Sequence, residues 1–264
     1  LLVHRPSPAT MEMINAGFEK DFVSQPYTGP VKRIDGKHSL LEAISREDLY
    51  WTIKQPGLSW ARQPLSADMA DGVFGPRFRT EGAQAFEIED WKTEGQYVLT
   101  TDSHVEFASA GTAVEDIEFP ESGKYGIGIL ARGTPCNGGY PIAEITVGGK
   151  PFGFMQLDGE QWKAYGVFGN VDQGLHQVKV AFVNDASAPP DEDRNLLVDR
   201  LYVLRDDRDD DCTMLTAPAA LATFERGQGT VVLDRIRWDT EEHNGQKAAR
   251  YACSLLTALD GDFT

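Results

Sequence analysis

The sequence predicts a mainly β protein, an antiparallel β-sandwich inserted into a split α/β domain. Three observations lead there. Between about residues 80 and 205, short runs of alternating apolar residues are separated by Gly and Pro turns, the pattern of strands with one buried face. The flanking segments, 1–60 and 213–264, read instead as mixed α/β. An α/β piece, a β region and a second α/β piece is the order left when one domain is inserted into a loop of another, a tolerated arrangement.

Taken in order, Leu1, Leu2 and Val3 form a short apolar strand-like run. Ser7 is placed to cap a helix that takes Pro8 as its first residue and ends near Gly17, with Met11 and Ile14 on its inner face. Ser45 and Asp48 make a second capping-type start before Leu49, Tyr50 and Trp51. Residues 52–80 read as a linker. In the β region Tyr125, Ile127, Ile129 and Ala131 alternate, as do Ala143, Ile145 and Val147 up to a Gly148-Gly149 turn. Val178, Val180 and Phe182 share a face of one strand. Leu197, Leu201 and Val203 share a face of the next, with Asp199 among them. Residues 205–215, with the run Asp206-Asp207-Arg208-Asp209-Asp210-Asp211, read as a second linker. Thr230 to Leu233 is a short strand flanked by Gly227 and Gly229. From Glu241 an amphipathic helix carries Ala248, Tyr251, Ala252, Leu255, Leu256 and Leu259 at helical spacing. Glu241 and Glu242 sit near its positive end.

Composition narrows the partners. A chain of 264 residues is long enough for two compact domains. With 41 acidic against 25 basic residues the net charge is -16 and the pI about 4.7. Such a surface repels nucleic acid and anionic membranes, and suits divalent cations and neutral ligands. Cys136, Cys212 and Cys253 lack CxxC spacing, which argues against a thiolate zinc site. They leave room for one disulfide and a free thiol, with the pairing open. No stretch has the apolar length to span a bilayer, and no signal peptide is visible. The chain opens on Leu1 in an apolar run. It is therefore expected to be a processed or excised piece of a longer protein, and the missing signal says little about secretion.

The densest chemistry lies between two strands. Asn184, Asp185, Asp191, Glu192, Asp193 and Asn195 gather hard oxygen donors on a loop whose ends are pinned by a sheet. Calcium needs several such oxygens at short range; a solvated acidic turn is the plain alternative. A carboxylate at Asp199 on an apolar face needs a partner or an ion if buried, and neither if that face is solvated. For catalysis there is little to assemble. Neither GxSxG nor GxCxG occurs, and His4, His38, His104, His176 and His243 are dispersed without HxxxH spacing. Cys136, in the turn-like run Thr134-Pro135-Cys136-Asn137-Gly138-Gly139, reads as structural, and His243 as solvated at a helix start. Asp158 and Glu160 flank Gly159 in a turn and read as solvated, while Gly126 and Gly128 lie inside a strand, where glycines aid packing.

These residues carry a resemblance. Val180-x-Phe182-x-Asn184-Asp185, a short Pro-containing loop, then Asp193-Arg194-Asn195-Leu196-x-Val198-Asp199-x-Leu201-x-Val203 resembles the C-terminal half of calcium-dependent carbohydrate-binding modules of the xylan-binding type. Phe86-Glu87-Ile88-Glu89-Asp90 is similar to the acidic opening strand of related modules. Phe119-Pro120-Glu121-Ser122-Gly123-Lys124-Tyr125 and Gly174-Leu175-His176-Gln177-Val178 are similar to their turns into core strands. The resemblance covers roughly 85–205 and implies a jelly-roll-like sandwich from an extracellular polysaccharide-degrading protein. It further implies two Ca2+ roles. A structural ion at the sandwich edge would involve Glu87 or Glu89 with Asp199. A second ion, at Asn184, Asp185, Asp191, Asp193 and Asn195, would coordinate sugar hydroxyls. The Ala186-Ser187-Ala188-Pro189-Pro190 run departs from the family, which carries more Gly there.

Sugar rings present apolar C–H faces that stack on aromatics, which makes Tyr140, Phe152, Phe154, Trp162 and Tyr165 candidates, with core packing the alternative for each. Trp162 and Tyr140, with Asp185 and Asp193, are the expected ligand contacts. A second resemblance covers roughly 1–52 and 222–264. Ser39 to Trp51, Gly227 to Trp238 and the helix through Arg250-Tyr251 and Leu255-Leu256 are similar to the later half of flavodoxin-like, amidotransferase-like domains that accompany β-galactosidase-like glycoside hydrolases.

The expectation is thus a non-catalytic, secreted (extracellular or periplasmic) module that binds a polysaccharide or oligosaccharide through Ca2+, with no nucleic-acid or membrane partner, within a larger glycan-degrading polypeptide. The competing expectations are a structural spacer or oligomerisation surface with a purely stabilising calcium, and a degenerate hydrolase or amidotransferase-like enzyme.

Overall fold

The computed structural model describes residues 1–18, 22–25, 27, 32–33, 38–44, 73–206, 212–217, 219–226, 228–236, 238 and 245–261. The chain divides into two compact units, one of Gly75–Asp209 and one of Leu1–Phe74 with Asp210–Thr264. The expected capping start at Ser45 and Asp48, and Glu241, Glu242 and His243, lie outside the described residues.

The first unit is a β-sandwich. One sheet runs Lys163–Val171, Gly123–Gly133, Leu196–Arg205, Val105–Phe107, Val98–Thr100, with Gln84–Glu87 also paired to Leu196–Arg205. The facing sheet runs Lys150–Gln156, Ile142–Val147, Gly174–Phe182, Gly111–Phe119, Lys92–Gly95. All these pairings are antiparallel. Alternation built the interior as a two-residue period requires. Tyr125, Ile127, Ile129 and Ala131 from one sheet meet Ala143, Ile145, Val178, Val180 and Phe182 from the other in one buried core. Gly148 and Gly149, at φ +57° and +74°, close the hairpin between Ile142–Val147 and Lys150–Gln156. Both values fit the tight turn that suits strand twist.

Leu196–Arg205 corrects the expected alternation. Leu196, Val198, Leu201 and Val203 are the buried residues, and Leu197 does not share the face of Leu201. Leu130 opposes Arg200 while Ala131 opposes Val198, so Asp199 is the extra residue of a β-bulge. On the strand's other side pairing passes from Val105–Phe107 to Gln84–Glu87 at the same point, between Val198 and Arg200. The bulge flips the parity and takes Asp199 out of both ladders.

The outer face of the first sheet carries a trough. Gly128 pairs directly with Gly166, and Gly126 lies two residues along. The ring of Phe78 fills the space their missing side chains leave. A Cβ on Gly128 would lie 2.4 Å from that ring, and one on Gly166 would lie 2.2 Å from it. The strand glycines therefore serve packing.

In the second unit Leu2–His4 pairs in parallel with Gly229–Asp234, which pairs antiparallel with Leu221–Arg226, and that with Cys212–Met214. Helix Pro8–Phe18 starts where Ser7 Oγ accepts from Thr10 N at 3.1 Å, and seats Met11 against Phe74, Phe224 and Leu233. Helix Gly245–Gly261 buries Tyr251 and Leu255, while Leu256, expected on the inner face, is half exposed. Asp234, fully buried, accepts from Tyr251 Oη at 3.1 Å, Trp238 Nε1 at 2.6 Å and Ile236 N at 2.9 Å, and faces His4 Nδ1 at 3.0 Å. Several donors satisfy that buried carboxylate. Cys136 is a buried free thiol and Cys253 an exposed one. No described helix is long and apolar enough to cross a membrane.

Candidate functional site

Two acidic places stand out on the sandwich. At its edge, Ile88 and Trp91 are buried in the core and fix a short 3-10 turn, Ile88–Asp90, after the strand Gln84–Glu87. That anchoring turns Glu87 and Glu89 toward Asp199, which the bulge has released from the ladders. Carboxylate oxygens of Glu87, Glu89 and Asp199 come within 4.8 Å of one another, the one such three-residue group among the described residues. Arg200 Nε lies 2.9 Å from Glu87 and 3.7 Å from Asp199. Glu89 Oε2 is buried without a hydrogen-bond partner. Three carboxylates, one exposed guanidinium and an orphaned buried oxygen suit a hard divalent cation, because like charges this close repel unless one sits among them.

This edge group lines an open depression of about 530 Å³, with Asp102, Ser103 and Trp162 on its other sides. Trp162 is 40% exposed; the Arg132 guanidinium lies 5.1 Å from its ring centre, and His104 meets it edge-on at 5.9 Å. The structure thus sets Trp162 beside the edge carboxylates, and no residue of the 184–195 loop lines that depression. Calcium held at this edge at a hundred times its dissociation constant is expected to stabilise the sandwich by about 2.7 kcal/mol. Glu89→Gln or Asp199→Asn should remove that share of the calcium response in a thermal melt run with calcium and with chelator. An unchanged calcium response in both variants would remove the edge site.

The second place is the 184–195 loop. It is braced before any ion is considered. Ser187–Ala188 pairs with Glu192–Asp193, leaving Asp191 exposed at the tip. Opposite, Cys136 and Gly139 exchange both backbone hydrogen bonds at 3.0 Å around Asn137 and Gly138, whose φ values are +51° and +73°. This is the two-residue turn with both central residues left-handed, which favours Asn-Gly. The two loops are then tied together. Asn137 N donates to Glu192 Oε2 at 2.5 Å. Thr134 Oγ1 donates to Asp193 O at 2.5 Å and accepts from Asn195 N at 3.0 Å. Arg194 donates from Nε to Gly139 O at 2.8 Å, from Nη1 to Asn184 O at 2.6 Å and from Nη2 to Cys136 O at 2.5 Å.

The expected loop ligands divide accordingly. Asn184 is committed to bracing: its Oδ1 accepts from Ile142 N at 2.6 Å and its Nδ2 donates to Tyr140 O at 3.0 Å. Asn195 Oδ1 is buried without a hydrogen-bond partner. Asp185 and Asp193 interact with each other, and Asp191 does not join them in a three-carboxylate group. Partial burial, then the charge of Asp193, raises the Asp185 pKa above the ordinary carboxylate value. Amides of Ala110 and Ala186 and the charge of Arg194 pull it back in part. The aromatic expectations also divide. Tyr140 packs partly buried against the core, as does Phe152, while Phe154 and Tyr165 are buried. Asp158, expected to be solvated, accepts from Tyr165 Oη at 2.8 Å and Lys163 Nζ at 2.6 Å.

The raised Asp185 pKa gives a signed expectation. In the calcium-free protein this group favours the folded state at low pH, and that contribution is lost as pH rises through the raised value. A cation requires the ionised form, so on acidification loop calcium affinity should begin to fall at a higher pH than an unperturbed Asp would dictate. Calcium titrations at stepwise lower pH check it, and a fall that begins no earlier than for an unperturbed Asp would contradict it.

The loop residues sequence reasoning missed are Arg194 and Thr134. Arg194 stood in the quoted Asp-Arg-Asn run, and a lone base among four acids was the available signal.

Residues 126–214 match the family described as CBM60, Ca-dependent carbohydrate-binding module, xylan-binding. None of the curated proteins matches the chain. Similar solved structures include a carbohydrate-binding module CBM36 in complex with calcium and xylotriose. It is 17% identical, with a TM-score of 0.39, over 46% of this chain and 98% of that one. The CBM36-1 domain of a multidomain xylanase from the hindgut metagenome of Trinervitermes trinervoides is 16% identical, with a TM-score of 0.39, over 46% and 96%. A family 35 carbohydrate-binding module from Clostridium thermocellum is 18% identical, with a TM-score of 0.37, over 47% and 99%. The matched stretch spans the braced turn, the acidic loop and Asp199, while Glu87 and Glu89 precede it. Over about a third of its length, then, this chain is similar to a family of calcium-dependent glycan-binding modules.

Proposed function

We propose that the sandwich is a non-catalytic module that binds a xylan-type polysaccharide through calcium, as part of a larger secreted glycan-degrading protein. The observation that carries this reading is the Asp185–Asp193 pair, exposed on a loop already held in shape and lying inside the stretch similar to calcium-dependent, xylan-binding modules. Asp185 and Asp193 would hold the ion of the loop, with Asn195 Oδ1 as a further donor; Glu87, Glu89 and Asp199 would hold the ion of the edge. Bound calcium supplies open coordination positions that vicinal sugar hydroxyls can fill. The chain's own contribution is to hold the two loop carboxylates in place and to spend little ordering entropy when glycan arrives, since the backbone around them is fixed by hydrogen bonds. An open, shallow site of this kind buries little area, so weak single-site affinity is expected, useful where a tethered enzyme acts on a polymer.

A second reading is favoured by the edge group: calcium there stabilises the sandwich, which serves as a spacer or oligomerisation surface. Both readings predict calcium stabilisation and only the first predicts glycan binding. For the unit of Leu1–Phe74 with Asp210–Thr264, the parallel pairing of Leu2–His4 with Gly229–Asp234 and the helix that follows are compatible with the closing part of a flavodoxin-like domain of the kind found beside β-galactosidase-like hydrolases. The test is retention of the chain on a panel of immobilised polysaccharides, in calcium and in chelator. Retention by xylan in calcium alone supports the module; a folded chain that no polysaccharide retains supports the spacer.

A further inference from the structure

Arg194 is a cation in the middle of a candidate cation site, which calls for a physical reason. Its side chain is half-buried, and burial lowers its pKa, while the charge of Asp185 favours its ionised form. Three of its nitrogens donate to three backbone carbonyls on two separate loops. Gly139 and Cys136 are the two closing residues of the Asn137-Gly138 turn, and Asn184 immediately precedes Asp185. Gly139 is itself fitted to this contact, since a Cβ there would lie 2.8 Å from the guanidinium. Along the chain Arg194 follows Asp193, and its backbone N donates to Ala186 O at 2.9 Å, so the residue after Asp185 is tied as well.

We infer that Arg194 is the positioning residue of the loop: by clamping the carbonyls of Cys136, Gly139 and Asn184 it sets the spacing of Asp185 and Asp193 before a cation binds. The inference rests on the reading that this loop takes calcium and glycan. A planar guanidinium with donors fixed in a fork can hold three acceptors at once, whereas a lysine ammonium is a point charge on a flexible stem. Two effects of opposite sign meet here. The positive charge of Arg194 repels an incoming divalent ion, which would make its removal tighten calcium binding. The clamp holds two like charges together that would otherwise drift apart, which makes its removal weaken binding. The geometry favours the second, because among the described residues the guanidinium's hydrogen bonds all go to backbone carbonyls and none to either carboxylate. Its work is on the loop's shape.

The experiment uses the full chain and calcium itself as the probe, with wild type, Arg194→Ala, Arg194→Lys and the loop control Asp193→Asn titrated calorimetrically. The edge step, identified by its loss in Asp199→Asn, serves as an internal reference. Arg194→Ala is expected to weaken the loop step about 10- to 100-fold, as loss of outer-sphere supports typically does, and to leave the edge step unchanged. Arg194→Lys should recover only part of it. In chelator, amide hydrogen exchange at Asn137–Gly139 and Asp185–Ala186 should quicken in both variants, a readout a general loss of stability would spread over the whole sandwich. At saturating calcium, affinity for a xylan oligosaccharide should return to that of wild type, because Arg194 acts through the ion and not on the sugar. A loop step that is unchanged or tighter in Arg194→Ala overturns the inference; if that variant does not fold, the same criterion applied to Arg194→Lys decides. If wild type shows an edge step alone, the reading of the loop as a calcium site fails, and the inference falls with it.

Discussion

Replacing Asp185 and Asp193 together by Asn is expected to lower calcium-dependent glycan affinity by about 100-fold or more, with the fold intact. Calcium affinity in oxygen-donor sites follows the charge count of the ligands, and these two are the loop carboxylates that interact with each other. Asn keeps the shape of each side chain, and it can still accept the Ala110 and Ala186 amide protons that Asp185 accepts now. The substitution therefore removes charge more than structure. In chelator the doubly substituted chain should melt at or slightly above wild type, because removing the two like charges relieves their mutual repulsion. Affinity electrophoresis in soluble xylan, with melts in parallel, reads both. Retained binding in a folded variant would detach the function from this loop, and the edge depression with Trp162 would then be the place to look.

The largest stability effect is expected at Phe78. Its ring lies 9% exposed in the trough of Gly126, Gly128 and Gly166, tilted against Phe168 with ring centres 6.0 Å apart. Phe78→Ala should cost the sandwich about 3 kcal/mol, the range for emptying a packed aromatic site. Gly166→Val should cost at least as much, since a side chain there would occupy the ring's own position. Both substitutions break one contact, so the double variant should fall well short of their sum. Equal melting temperatures across the set would mean the trough is not the seat of Phe78.

Much of the sandwich was legible because its strands turn alternate residues into the core: wherever the large apolar side chains fell on the core side, a period of two survived in the residues. Tyr125 to Ala131 and Val178 to Phe182 are such strands. Leu196–Arg205 was misread for the opposite reason. A bulge shifts parity through the register of a partner strand, and the alternation of Leu197, Leu201 and Val203 contains no trace of Leu130 and Ala131. The acidic loop was visible as a contiguous run, but which oxygens remain open was not. Asn184 is consumed by Tyr140 and Ile142, more than forty positions away in sequence. The same distance hid Arg194, whose acceptors Cys136 and Gly139 sit on the other loop, and separated Trp162 from the acids it accompanies. Phe78 fell in a stretch read as linker, where a single aromatic has no period to betray a binding trough.

The most direct measurement is titration of a xylan oligosaccharide into the calcium-saturated chain, repeated after chelation on the same folded sample. The account predicts weak, saturable binding that vanishes with chelator and returns when calcium is restored. Binding of equal strength without calcium, or none in either condition from a protein shown to be folded, would contradict it.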